Sequence, residues 1–204
     1  MITAKDRLVL NHIEEFKMIT ADQARMLTYP LIASGYQSAR KRLHRLLAIE
    51  NRLKVIRNEE LGINVYVNID MDIRKVPNSP HRIYLLNFYC KLKSMGAEII
   101  AFIVEKEWMR DEKNPNGKYR SDALLIYKYD NTLYFNLIEV NKSNNALNLG
   151  RFDEAKDEII ERFSGHIPTI ILIDSRGHKA YNSKVFQVIK VDYKLTNFHS
   201  IFKV

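Results

Sequence analysis

Cysteine, glycine and proline are all scarce in this 204-residue chain: one cysteine, seven glycines and five prolines. A single cysteine, Cys90, can form neither an intrachain disulfide nor a cysteine-rich zinc site, and it points to a reducing, cytoplasmic setting. So little glycine and proline excludes a collagen-like or linker-dominated chain. No run of about 18 apolar residues occurs, so no membrane-spanning helix and no membrane partner are expected. The opening MITAKDRLVLNHIEEF lacks the basic-then-apolar order of a signal peptide. The six histidines show no H-x-x-x-H or H-E-x-x-H spacing, and no G-x-x-x-x-G-K loop is present. Zinc hydrolysis and NTP hydrolysis therefore lack their usual residues. Eleven tyrosines could include a relaxase-type nucleophile, but the histidine cluster that would accompany one is missing.

What is present is the composition of a folding chain. Hydrophobic residues make up 46% and charged residues 27%, which excludes wholesale disorder. The length suits one large domain or two small ones. Lys and Arg number 32 against 24 Asp and Glu, a net charge of +8 that suits nucleic acid or an anionic surface. The surplus is not a tail. Residues 1–80 carry 13 basic and 9 acidic residues, and residues 81–204 carry 19 and 15. Any binding surface must come from how folded elements arrange these charges.

Residues 1–69 read as helix, helix, helix, hairpin. Val9, Ile13 and Phe16 recur at helical spacing over Ala4–Lys17. Thr20 and Gln23 have capping-box spacing and open a short helix from Ala21 to about Leu27, which Tyr29-Pro30 ends. A third helix covers about Ser34–Ile49, with Tyr36, Ala39, Leu43, Leu46 and Leu47 on one apolar face. Its opposite face carries Gln37, Ser38, Lys41, His44 and Arg45, flanked by Arg40 and Arg42. Strands Leu53–Arg57 and Ile63–Val67 follow, joined at Gly62, whose backbone freedom suits a hairpin turn. Three helices and a hairpin, the third helix basic on its outer face, spell a winged helix-turn-helix. In that fold Gln37 and Ser38 lie near the helix end that reaches base edges. Lys41 and Arg45 sit one turn apart, and Lys54 and Arg57 suit a wing. His44 reads as helix surface or a phosphate contact.

Asp70–Pro80 is polar and proline-punctuated and reads as a linker. From His81 the order becomes αβββαβ. It comprises a helix over His81–Met95, strands over Glu98–Val104, Ser121–Tyr129 and Leu133–Val140, a helix over Arg151–Phe163, and strands over Pro168–Asp174 and Val188–Tyr193. Met109–Arg120 is a polar loop, Asp130-Asn131 a hairpin turn, and a short helix is expected near Asn182–Gln187. The run PTIILID is almost wholly apolar and predicts a strand buried on both faces. The apolar-rich end Phe198–Phe202 suits either an interface or a last piece of core. Cys90, between Tyr89 and Lys91, reads as a structural thiol with no activating partner. His81 reads as a cap or a packing residue at the domain junction.

Asp122 opens one strand and Glu139 ends the next. Adjacent antiparallel strands could bring these carboxylates together, and two hard oxygen ligands plus water would suit Mg²⁺. The αβββαβ order and the D…E-x-N pattern resemble the PD-(D/E)XK nuclease fold. Two positions depart from it: Ser121 stands before the aspartate, and Asn141 stands where the catalytic lysine would be. Lys142 is one residue off and alternation turns it to the other face. Lys156 on the following helix is a distant substitute, and Glu105 and Glu107 are further acidic candidates. Over most of its length the chain resembles the replication-relaxation family of plasmids and other mobile elements. The matching features are an N-terminal winged helix, a helix opening at His81, an aromatic-acidic region from Trp108 to Glu112, Ser121-Asp122-Ala123, and Leu137 to Asn141. That resemblance implies DNA-binding roles in replication, transfer or transcriptional control of mobile elements.

The expectation is thus an α+β protein with three parts: a winged helix-turn-helix over 1–69, a linker over 70–80 and a nuclease-like α/β domain over 81–204 without catalysis. It would bind double-stranded DNA specifically, with no cofactor. A homodimer on two half-sites and a replication, conjugation or transcription protein are its expected partners. The alternatives are a Mg²⁺-dependent endonuclease or nickase using Asp122, Glu139 and Lys142, and a protein-interaction adaptor.

Overall fold

A computed structural model of the chain describes residues 1–109, 118–142, 148–174 and 181–202. They divide into two compact units, Met1–Gly96 and Ala97–Val204.

The first unit contains helices α1 (Ala4–Phe16), α2 (Ala21–Thr28), α3 (Gly35–Ala48) and α4 (Pro80–Ser94), with strands β1 (Ile19–Thr20), β2 (Leu53–Asn58) and β3 (Ile63–Asn68). Two reciprocal caps start α1 and α2. The Thr3 hydroxyl accepts the Asp6 amide while the Asp6 carboxylate accepts the Thr3 amide. Thr20 and Gln23 make the same exchange, as their spacing predicts. Two residues ahead of α2 form a strand that the sequence pattern is too short to signal. They pair antiparallel with β3, which pairs with β2, so the sheet order is β1-β3-β2. Val9, Ile13, Ile19, Ala24, Ala39, Leu43, Leu46 and Leu53 form the core between helices and sheet. Tyr36 does not join it: the ring is 39% exposed, one turn outside the apolar stripe. Gly35 begins α3 where a Cβ would lie 2.8 Å from the Tyr29 carbonyl oxygen, so the α2–α3 turn closes only around a glycine.

Two expectations about 70–95 are corrected. The polar stretch is strapped to the hairpin rather than free. The buried Asn58 side chain donates to the Asn78 backbone and side chain, and Asn78 donates back to the Arg57 carbonyl. The helix after it packs on α2 within the first unit, where Gln23 donates to the Ile83 carbonyl and to Asn87. Its buried set, Ile83, Leu85, Leu86, Phe88, Tyr89, Cys90 and Leu92, runs round most of the cylinder. Ser79, not His81, caps it, and His81 is exposed.

The second unit is a five-stranded sheet of β4 (Glu98–Met109), β5 (Lys118–Tyr129), β6 (Thr132–Val140), β7 (Thr169–Ile173) and β8 (Val188–Val191), in that spatial order. The first three strands are antiparallel and the last three parallel. Asp130 and Asn131 both have positive φ, which gives the tight β5–β6 turn its twist. β7 is buried along its whole length, as its composition predicts. The expected single helix over 151–163 is two pieces, α5 (Gly150–Glu154) and α6 (Lys156–Arg162), broken at Ala155. The expected helix near 182–187 is absent. Asp153 holds that stretch as a turn by accepting the Ser183 hydroxyl and the amides of Lys184 and Val185. Trp108, Leu124, Leu137, Phe152, Ile159, Phe163 and Ile170 pack between the helices and one sheet face. Phe198 and Ile201 are buried, so the chain's apolar end is core. Glu112 and the turn Asn114–Gly117 lie outside the described residues.

Candidate nucleic-acid interface

At 100° per residue, Gln37, Arg40, Lys41 and His44 share one arc of α3. All four are exposed, and their side chains make no hydrogen bond or ion pair among the described residues. Tertiary packing turns the other polar positions away from that arc. Ser38 is half-buried. Arg42 donates to Asp6 at 2.5 Å, to the Thr3 hydroxyl at 2.7 Å and to the Tyr29 hydroxyl at 3.0 Å. Arg45 donates to the second Asp6 oxygen. Arg42 and Arg45, both expected at the DNA surface, clamp α3 to the start of α1.

Asp6 is fully buried, yet its carboxyl is held well below the ordinary carboxylate range. Burial alone would raise it, but hydrogen bonds from Thr3, Arg45 and Arg42 outweigh that effect. The Thr3-x-x-Asp6 spacing announces the cap. Nothing in the sequence announces that this carboxylate also neutralises two arginines 36 and 39 residues away.

The hairpin separates its two expected cations. Lys54 and Arg57 are three residues apart on one strand, so they face opposite sides of it. Arg57 shares its side with Asn64, its cross-strand partner, and with Tyr66. Arg57 donates to Asn64 at 3.4 Å and is exposed. Lys54 lies on the other side, with Ile56.

In the second unit, Ala123 pairs with Ile138, so Asp122 and Glu139 meet across β5 and β6 as expected. Both are used internally. Asp122 accepts the Val140 amide at 2.6 Å, and Arg151 donates to Glu139 at 2.6 Å. The other Glu139 oxygen is buried with no hydrogen-bond partner among the described residues. Burial and the nearby Asp122 charge push the Glu139 carboxyl up to about 8, against the pull of Arg151. Asn141 takes up no cationic role. It donates to Asp174 at 3.3 Å and to the Tyr181 hydroxyl at 3.1 Å, and its carbonyl accepts the Tyr193 hydroxyl. It thus clasps the carboxyl ends of β6 and β7. Lys142 lies beyond the end of β6, Lys156 is exposed on α6, and Glu105 and Glu107 both pair with Arg120.

A carboxylate pair that already holds an arginine is a poor donor set for Mg²⁺, which needs several free hard oxygens. Among the described residues no group of three or more His, Cys, Asp or Glu is arranged to hold a metal ion. Sequence reasoning missed Arg151, Asp174 and Tyr181, because each reaches this cluster from another element.

Cys90 is fully buried, with its sulfur 4.0 Å from His12 Nε2. Burial pushes the thiol well above its ordinary range, so it is inert. His12 packs against Phe16 and Tyr89, and burial with Lys93 nearby lowers it to about 3.

No protein-family model, curated protein or solved structure matches the chain.

Proposed function

We propose that the chain is a sequence-specific double-stranded DNA-binding protein. Its first unit works as a winged helix-turn-helix and its second as a nuclease-like module without catalysis. The observation that carries this reading is the exposed, uncommitted arc Gln37–Arg40–Lys41–His44 on α3, beside a β-hairpin bearing Arg57. A buried aspartate retires the neighbouring arginines to structural work, which leaves these four side chains for a ligand. Gln37 suits an adenine edge, and the cations suit guanine or phosphate. The order α1-β1-α2-α3-β2-β3 with sheet β1-β3-β2 supports α3 as the helix presented to the major groove and the hairpin as the wing. With the resemblance to replication-relaxation proteins, the reading extends to replication, transfer or transcriptional control of a mobile element.

The test is selection of bound duplexes from random DNA, followed by titration at several salt concentrations. One enriched site is expected, symmetric if two copies bind. Gln37→Ala should relax preference at one base position by about 1–3 kcal/mol. Lys41→Ala should weaken binding to all sequences. No enrichment, or affinity indifferent to salt, would overturn the reading.

The juxtaposed Asp122 and Glu139 favour metal-dependent DNA cleavage as a second reading. Plasmid nicking with Mg²⁺ or Mn²⁺, present in the wild type and lost in both Asp122→Ala and Glu139→Ala, would put it first.

A further inference from the structure

A cleft of about 260 Å³ opens in the first unit between the start of α2, the first turns of α3 and the hairpin. Its wall on α3 carries Tyr36 and Arg40, its wall on the hairpin carries Arg57, Asn64 and Tyr66, and Asp22 at the start of α2 lines it as well. This volume is below the roughly 300 Å³ at which pockets for whole drug-sized ligands begin. The lining is cationic and aromatic, with few apolar aliphatic groups. Arg40 makes no hydrogen bond or ion pair among the described residues. Among the described residues Arg57 makes only long polar contacts, 3.4 Å to Asn64 and 3.8 Å to Glu59, both at the surface. Two guanidiniums, one without an internal partner among the described residues and one held only by long surface contacts, thus converge from different elements on one narrow space.

We infer that this cleft grips the DNA backbone at a single phosphodiester, held jointly by Arg40 from the helix and Arg57 from the wing. The adjoining sugar would rest on Tyr36. The inference rests on the DNA-binding reading above and adds to it a specific phosphate site and its stoichiometry. A guanidinium presents several donors in a plane, so two of them can chelate the non-bridging oxygens of one phosphate. Such a contact carries no sequence information. It sets the depth and tilt of α3 in the groove and so the register in which Gln37 meets a base.

Sharing one phosphate has a numerical signature. Each neutralised phosphate contributes about 0.9 to the slope of log affinity against log salt on B-DNA. The experiment measures that slope for the full chain on its selected duplex, with wild type, Arg40→Gln, Arg57→Gln, the double variant and Arg40→Lys. The expected result is a slope flattened by less than about 0.9 in either single variant and by about 0.9, the value of one phosphate, in the double. Arg40→Lys should restore the slope, because charge rather than fork geometry counts for ion release. A double variant flattened by about 1.8 would mean two separate phosphates and overturn the inference. Unchanged slopes in all four variants, with Gln37→Ala and Lys41→Ala still weakening binding, would overturn it while leaving the DNA-binding reading intact. No duplex binding by the wild type would remove both.

Discussion

Acidification should destabilise the first unit through His12. His12 is 5% exposed, wedged between Phe16, Tyr89 and Cys90, and protonates only near pH 3, whereas an unfolded histidine protonates at 6.5. Below pH 6.5 the unfolded chain therefore takes up a proton that the folded chain refuses. Folding stability is complete above 6.5 and falls as the pH drops towards 3. Each pH unit in that window costs about 1.4 kcal/mol, so about 2 kcal/mol is gone by pH 5, a large fraction of a small unit's stability. Asp6 does not confound this range. Its lowered carboxyl contributes stability above its ordinary 3.8 and loses it only below that value. The only tryptophan, Trp108, belongs to the second unit, so its fluorescence is blind to the event. Amide hydrogen exchange along α1 and α4 between pH 7.5 and 5, corrected for intrinsic rates, reads it directly. His12→Phe should abolish the pH dependence whatever it does to absolute stability. Protection of α1 and α4 that is flat between pH 7.5 and 5, or that falls equally in His12→Phe, would refute the reasoning.

Asp6→Asn should destabilise the first unit by about 3 kcal/mol in urea unfolding followed by circular dichroism, since it leaves Arg42 and Arg45 without their shared counter-ion. Arg45→Ala should cost stability but leave salt-corrected DNA affinity nearly intact, and the reverse should hold for Lys41→Ala. In the second unit the sign of the pH effect is opposite to that of His12. Glu139 titrates near 8 in the fold and at 4.5 outside it, so stability is complete below 4.5 and is lost as pH rises towards 8. Trp108-monitored unfolding should show this loss, and Glu139→Gln should remove it.

The elements were legible wherever the signal is local. The Thr20–Gln23 exchange, the apolar stripe Ala39–Leu43–Leu46, the positive-φ turn at Asp130-Asn131 and the wholly buried β7 all follow from residues within a few positions of one another. The sequence is silent where a distant partner decides the outcome. Nothing near Arg45 announces its pairing with Asp6. Strand pleating turns Lys54 to the side of β2 opposite Arg57. Residues 70–80 look like a linker until Asn58 and Asn78 tie them to the hairpin. At the acidic pair, register was legible from strand alternation. The arginine on Glu139 was not, because α5 carries it in from outside the strands.

The longest strands of the second unit include β4, and β4 lies at the rim of its sheet with Ile100 and Ile103 exposed. A rim of that length is an invitation to unwanted strand addition. The backbone withdraws it. The pairing with β5 slips between Ile99 and Ala101, and Glu105 sits in the left-handed region at φ 55°, with no partner in the register between Val104 and Lys106. An arriving strand meets two short stretches, Ala101–Val104 and Lys106–Met109, separated by the unpaired Glu105. Neither stretch reaches the roughly six residues of a fibril-seeding segment.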